Sequence, residues 1–283
     1  MQSILNYITW DVSPFIYEGE HFAIGWYGTL LIVGLLLILY VLIETFKRDH
    51  LPYNYALITY IIFICGVFFF AHLFQGLFYE WYYSPDNPWY FLGIDWGYRN
   101  YYFEHPIKFL DIAHGGFASH GLYTYVLLIS LVLSNVFGVK KWYVSDRLFI
   151  GVFFLGIFIR MGNFFNAEIY GIHTTMPWGV IFPEEDFPSH PTQIYEALIF
   201  GSAGFIGLRM LYKSKAGMFD GLITGVLLLY TSIMRIAVEC IKLPNMSIEQ
   251  NWTLNMGQIL SIPFLLMGCY LIQENVCRRI KMK

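Results

Sequence analysis

Residues 148–171 read LFIGVFFLGIFIRMGNFFNAEIYG. The first half is an almost unbroken apolar run. The second, FIRMGNFFNAEIYG at 158–171, places Arg160, Asn163, Asn166 and Glu168 where that run would be expected to continue. Charged and amide groups in hydrocarbon are costly unless they are paired or line a polar cavity. The stretch therefore predicts two things: a helix that crosses a membrane, and a polar site built at its end.

The rest of the chain supports the first prediction. Of 283 residues, 57% are hydrophobic and only 13% charged, against about 25% charged in a soluble domain. A crossing helix needs about 20 apolar residues, and seven segments qualify: 22–45, 54–79, 118–138, 147–166, 192–212, 217–241 and 256–277. Barrel strands would be shorter and alternating. The expected fold is an all-α integral membrane protein of about seven transmembrane helices. It forms one polytopic domain over 1–283, interrupted by an aromatic-rich head segment at 80–117 and a loop at 167–191. The net charge of −3 offers no basic surface for nucleic acid. Cys65, Cys240, Cys269 and Cys277 form no CxxC pair, so neither a disulfide framework nor a zinc site is expected. MQSILNYITWDVSP lacks the basic start of a signal peptide and suits a short interfacial arm.

Basic residues gather in alternate connections: Lys47 and Arg48; Lys140, Lys141 and Arg147; Arg209, Lys213 and Lys215; and Arg278, Arg279, Lys281 and Lys283. By the positive-inside rule these face the cytoplasm, so the N-terminus, segment 80–117 and loop 167–191 face outward. WYYSPDNPWYFLGIDWGYRNYYF at 81–103 suits an interfacial aromatic belt, or a head that shapes an entry for lipid or peptide.

In this topology four polar clusters fall at the same, outer, ends of spans: His120 in ASHGLY; the opening stretch; His190, Gln193, Tyr195 and Glu196 in SHPTQIYEA; and Arg235, Glu239 and Lys242 in MRIAVECIK. Each has a plain structural explanation. Arg235 and Glu239 sit four apart on a helix and can simply pair; a lone His120 is commonly structural; His190 before Pro191 suits a helix start. Glu168 joins the face of Arg160 and Asn163 only if the helix breaks near Asn166. Together, two arginines, a histidine and carboxylates suit an anionic phospholipid, because arginine binds phosphate and histidine exchanges a proton near neutral pH.

These motifs resemble the phosphatidylglycerol–prolipoprotein diacylglyceryl transferases of bacterial inner membranes. IRMGNFFNAEIYG at 159–171 matches the family signature, and WYG at 26–28, HGGFASHG at 114–121, PWG at 177–179, HPTQIYEA at 190–197, RIAVE at 235–239 and NMGQILSIP at 255–263 match in order. The resemblance spans nearly the whole chain. It implies transfer of the sn-1,2-diacylglyceryl group from phosphatidylglycerol to the lipobox cysteine, just beyond the signal peptide, of a prolipoprotein, with release of glycerol phosphate and no metal or diffusible cofactor. It implies a multi-pass inner-membrane protein with a periplasmic N-terminus and a cytoplasmic C-terminus. His120, Arg160, Arg235 and Glu239 carry over as catalytic. Tyr27, Asn163, Asn166, Glu168, Gln193 and Tyr195 carry over as substrate-binding, as does His72, where the family usually has arginine. Leu122, Ile159, Ser189 and Lys242 also depart from the pattern. A transporter or flippase, or a transfer-deficient lipid-binding relative, remains as an alternative.

Overall fold

The computed structural model describes residues 7–84, 90–91, 94–95, 98–112, 115–183, 185–213, 220–243 and 253–281. Its helices are α1 Trp26–Arg48, α2 Tyr53–Phe78, the short α3 Tyr101–Glu104, α4 Ser119–Val136, α5 Tyr143–Phe165, α6 Thr192–Lys213, α7 Leu222–Glu239 and α8 Met256–Lys281. Seven of them, all but α3, are long and apolar enough to cross a membrane. Each meets one expected span.

Two of the boundary shifts have a common cause. α5 begins at Tyr143 rather than 147, and α7 at Leu222 rather than 217. Trp142 N donates to Asp220 Oδ1 at 2.7 Å, which caps α5 from the segment before α7. In return, the buried Asp146 in the first turn of α5 accepts from Gly221 N at 2.9 Å, and from Thr224 N and Thr224 Oγ1 at 2.8 Å each. The two helix starts satisfy each other's orphan amides, which neither sequence window displays alone. Alongside them, Arg147 Nη2 lies 2.5 Å from Asp49 Oδ2, and Tyr143 Oη donates to the same oxygen at 2.8 Å. These contacts tie the end of α1 to the start of α5.

α5 is the central helix, packed on α1, α4, α6 and α7. Leu148, Phe149, Ile150, Val152 and Phe153 are buried along it. In a bilayer the packing of small residues, rather than escape from water, draws helices together. A Cβ at Gly34 of α1 would lie 2.5 Å from Leu155, and one at Gly151 would lie 3.2 Å from the Ile38 backbone.

The structure adds short strands that the helical expectation does not contain. β1 Ile8–Thr9 runs parallel to β8 Val180–Ile181. β2 Phe15–Glu18 pairs antiparallel with β3 Ala23–Gly25, β4 Trp81–Tyr83 with β7 Tyr98–Asn100, and β5 Tyr90–Phe91 with β6 Ile94–Asp95. Ribbons of two to four residues are too short to leave a period in sequence. The arm at 8–10 is thus part of the fold: Trp10 N donates to Ile181 O at 2.8 Å, and its ring packs on Phe164. In the head segment, Asn100 accepts from Tyr102 N and Phe103 N to cap α3, and donates to Gly76 O at 2.8 Å, docking the head on α2. The expected aromatic stretch falls outside the described residues at 85–89, 92–93 and 96–97, as do His114 and Lys215.

Asp146→Ala leaves two buried amides of the α7 start, Gly221 N and Thr224 N, without an acceptor, at about 1–3 kcal/mol for an unsatisfied group. We expect a lower melting temperature in detergent, read by intrinsic fluorescence, and a smaller loss for Asp146→Asn, which keeps one oxygen.

Candidate functional site

The polar groups that interrupt the spans meet at one end of the bundle. Tyr27 stands in the first turn of α1, His120 in that of α4 and Gln193 and Glu196 in the opening turns of α6; Arg160 and Asn163 lie in the closing turns of α5, and Arg235 and Glu239 in those of α7.

Glu196 is the hub. It is 2% exposed, and its Oε2 lies 3.0 Å from Arg160 Nε while its Oε1 accepts from Arg235 Nη1. Lys242 Nζ stands 3.4 Å from Glu196 and 3.6 Å from Glu239. Arg235 also reaches Glu239 at 2.5 Å, closing the expected i, i+4 pair. Glu239 Oε2 accepts from Asn255 Nδ2 at 2.9 Å, ahead of α8. Three cations thus surround two carboxylates. Such a cluster suits a phosphodiester monoanion.

The opening stretch completes the cage. α5 stops at Phe165, with Asn166 as its C-cap, and the backbone reverses through positive φ values at Ala167 (53°) and Ile169 (60°). This break brings Glu168 back onto the face of Asn163: Asn163 Nδ2 donates to Glu168 Oε1 at 2.8 Å, and Arg160 Nη1 donates to Asn163 Oδ1 at 3.1 Å. Asn166 Nδ2 adds a longer contact to Glu168 at 3.4 Å. The loop then lies over the end of α7, where Ile172 N donates to Ile241 O at 2.9 Å. Gly162 lets Tyr27 approach, since a Cβ there would stand 2.7 Å from the Tyr27 ring. Tyr27 in turn interacts electrostatically with Arg160 and Glu168.

His120 is 2% exposed, with Arg235 and Lys242 as its charged neighbours. Its Nε2 lies 3.2 Å from Ser261 Oγ, and that hydroxyl donates to Gly257 O at 2.7 Å. Because the serine proton is committed to a carbonyl, Ser261 Oγ accepts from His120 Nε2–H. The tautomer is thereby set, and the basic lone pair is on Nδ1, which is buried and has no hydrogen-bond partner. Gly257 serves the cage as well: a Cβ there would lie 2.7 Å from the Glu239 carboxyl carbon. Beside His120, Tyr123 sits among Phe149, Phe153 and Phe264 and interacts electrostatically with Arg235, Arg160 and Glu196.

Two expected binding residues stand elsewhere. His72 is fully buried, its Nδ1 2.8 Å from Gly115 O and its Nε2 3.0 Å from Lys108 O. Expected as a headgroup-binding residue, it lies instead with its ring nitrogens against the carbonyls of Gly115 and Lys108, linking these residues to α2. Tyr195 accepts from Trp178 Nε1 at 2.7 Å and lies 3.1 Å from His190 Nδ1, in a cluster at the loop surface. Conversely, Glu196 and Lys242 stood in the polar clusters of the sequence without a role, and Asn255, Ser261 and Tyr123 carried no spacing signal at all. Among the described residues no group of three or more His, Cys, Asp or Glu side chains converges to hold a metal ion.

A family model described as prolipoprotein diacylglyceryl transferase matches residues 14–273. Three similar proteins are called phosphatidylglycerol–prolipoprotein diacylglyceryl transferase. The one from Tolumonas auensis is 33% identical, covering 93% of this chain and 95% of its own. The one from Chloroherpeton thalassium is 31% identical, covering 96% and 95% respectively. The one from Porphyromonas gingivalis is 30% identical, covering 98% of each.

Removing one partner of a buried ion cluster typically costs about 3–5 kcal/mol, because the remaining charge stays buried and unpaired. Glu196→Leu removes the carboxylate of Arg160 and one of the two that pair with Arg235. We expect it to lower the melting temperature more than Glu168→Leu does, measured on the same purified protein.

Proposed function

The chain belongs to the prolipoprotein diacylglyceryl transferase family, and we propose that its buried arginine–glutamate cage holds the phosphate of phosphatidylglycerol while a cysteine thiol displaces it. The activity is the transfer of the diacylglyceryl group from phosphatidylglycerol to a prolipoprotein. The acceptor in this proposal is the lipobox cysteine beyond a signal peptide. The cage end of the bundle faces the periplasm, and the opposite end, with Lys47, Lys140, Lys141 and Lys213, faces the cytoplasm of an inner membrane. The outward segments 80–117 and 167–191 then flank one polytopic domain.

The observation that carries the proposal is the pairing of two buried arginines, Arg160 and Arg235, with one carboxylate, Glu196. The nucleophile is the acceptor's thiolate, so its proton must go first. The free lone pair on His120 Nδ1 supports a base there. Sulfur then bonds to C3 of the diacylglyceryl group as the C3–O bond breaks, and the electron pair leaves on the phosphate. A phosphodiester monoanion becomes a monoester dianion. The charge that develops falls on oxygens beside Arg160 and Arg235, where preorganised donors act most strongly. Glu239 and Asn163 hold the two guanidinium groups in place, and Glu168 orients Asn163. Tyr27, Gln193 and the Asn166 turn line the lipid's approach. Tyr195, bonded to Trp178 and His190, borders the mouth of the site rather than its arginines.

The alternatives draw no support of their own. A transport path would continue the polar groups down the bundle, where α5 presents the buried Phe149, Leu148 and Phe153. The departures at His72 and Leu122 fall on a backbone tether and on core packing.

With purified protein, phosphatidylglycerol and a synthetic lipobox peptide, mass spectrometry should find a diacylglyceryl thioether on the cysteine. Arg160→Ala and Arg235→Ala should each lose about 10²–10³-fold in kcat; unchanged turnover would remove the phosphate role. His120→Gln should slow transfer at neutral pH and partly recover at alkaline pH, where the peptide thiol ionises unaided. A wild-type pH profile in this variant would rule out the base.

A further inference from the structure

Gln193 is fully buried, and its two amide atoms are treated differently. Nε2 donates to the backbone carbonyl of Glu168 at 2.7 Å. A carbonyl can only accept, so this bond fixes which end of the amide is nitrogen. Oε1 is therefore held on the other side, buried and without a donor. A buried acceptor left empty costs about 1–3 kcal/mol, and such a group is a mark of a site that waits for a ligand.

The position of Gln193 indicates which part of a ligand arrives. It stands three residues before Glu196 on α6, on the same helix face and one turn nearer the helix start, at the cage end of the bundle. Glu196 holds both arginines, so Gln193 stands one helical turn from the arginine pair's carboxylate, toward the cage end of α6. Its partner Glu168 is itself joined to Arg160 through Asn163. The nearby side chains of the cage are cations, carboxylates and an amide donor. Gln193 Oε1 is a neutral acceptor among them that has no donor, unlike Asn163 Oδ1, and it matches a neutral O–H.

We propose that Gln193 is a specificity-determining residue that accepts a hydrogen bond from a hydroxyl of the headgroup glycerol, so that the site selects a hydroxyl-bearing headgroup on the phosphate. This rests on the placement of the lipid phosphate at Arg160 and Arg235 described above. A site built around an unpaired buried acceptor rejects a ligand that lacks the donor, because binding then leaves the acceptor empty.

The test compares phosphatidylglycerol with phosphatidylpropanol, whose headgroup has the same length but no hydroxyl, using the lipobox peptide and the thioether product as readout. The wild type should favour phosphatidylglycerol by about 10–100-fold in kcat/KM, the range for one buried hydrogen bond. Gln193→Leu should bring phosphatidylglycerol down to the level of phosphatidylpropanol, erasing their ratio beyond any loss common to both lipids from the missing Nε2 bond to Glu168 O. A merely structural role would lower both lipids together and preserve their ratio, which would overturn the proposal. A change confined to the KM for peptide would assign Oε1 to an acceptor N–H and would overturn it too. If the variant does not fold, the wild type still decides: equal kcat/KM for the two lipids refutes headgroup selection. Failure of the underlying phosphate placement looks different, since Arg160→Ala would then turn over phosphatidylglycerol normally.

Discussion

A charge buried at membrane depth must be neutralised within the protein, and here one carboxylate carries most of that duty. Glu196 sits between Arg160 and Arg235 and within reach of Lys242, so α5, α6 and the end of α7 meet at a single side chain. Much else at this end follows from it. The α5 helix has to stop where it does so that Glu168 can return to Asn163 and orient the amide that Arg160 needs. Loop 167–191 has to lie across the end of α7 so that Lys242 is sealed in with 6% exposure. Glycines at 162 and 257 keep Tyr27 and Glu239 in contact with the cage.

The opposite end of the bundle solves the same problem by reciprocal capping. Asp146 and Asp220 cap the starts of α7 and α5 reciprocally, and Asp49 is matched by Arg147 and Tyr143. Carboxylates here face backbone amides or a single guanidinium, and every bond holds two chain segments together. The contrast separates scaffold from site in physical terms. The helix ends there are tied by reciprocal caps, whereas the cage gathers arginine, lysine and glutamate side chains from several helices and leaves His120 Nδ1 and Gln193 Oε1 open.

The spans were legible because each carries its own apolar length, and the convergence of polar clusters followed from counting crossings. Arg160, Asn163, Arg235 and Glu239 were legible because helical spacing puts partners three or four residues apart. Glu196 was harder to assign: its partners come from other helices, and no local pattern records them. Asn255 reaches Glu239 across 16 positions and Ser261 reaches His120 across 141, distances at which only the folded chain supplies the pairing. His72 was expected as a binding residue from the resemblance alone; its neighbours are main-chain carbonyls at 108 and 115, which a sequence does not advertise. The strand pairs escaped notice because a ribbon such as β1 with β8 joins residues some 170 positions apart.

The carboxylates also bear on turnover. A pocket of bare arginines would hold a phosphate dianion tightly, and the proposed reaction ends with one. Tight product binding slows release, and only interactions stronger in the transition state than in the bound states accelerate the chemistry. In the resting cage Glu196 and Glu239 already occupy the guanidinium groups, so in the proposed reaction phosphate would arrive by exchange rather than by filling an empty site. The guanidinium N–H groups that turn to the lipid are given up in part by carboxylates, and the carboxylates recover them when the product leaves. The net affinity for phosphate is thereby reduced while the donors stay fixed in direction. Asn163 and Asn255, neutral and bonded to the outer oxygens and nitrogens of the cluster, keep that exchange from becoming a rearrangement of the helices.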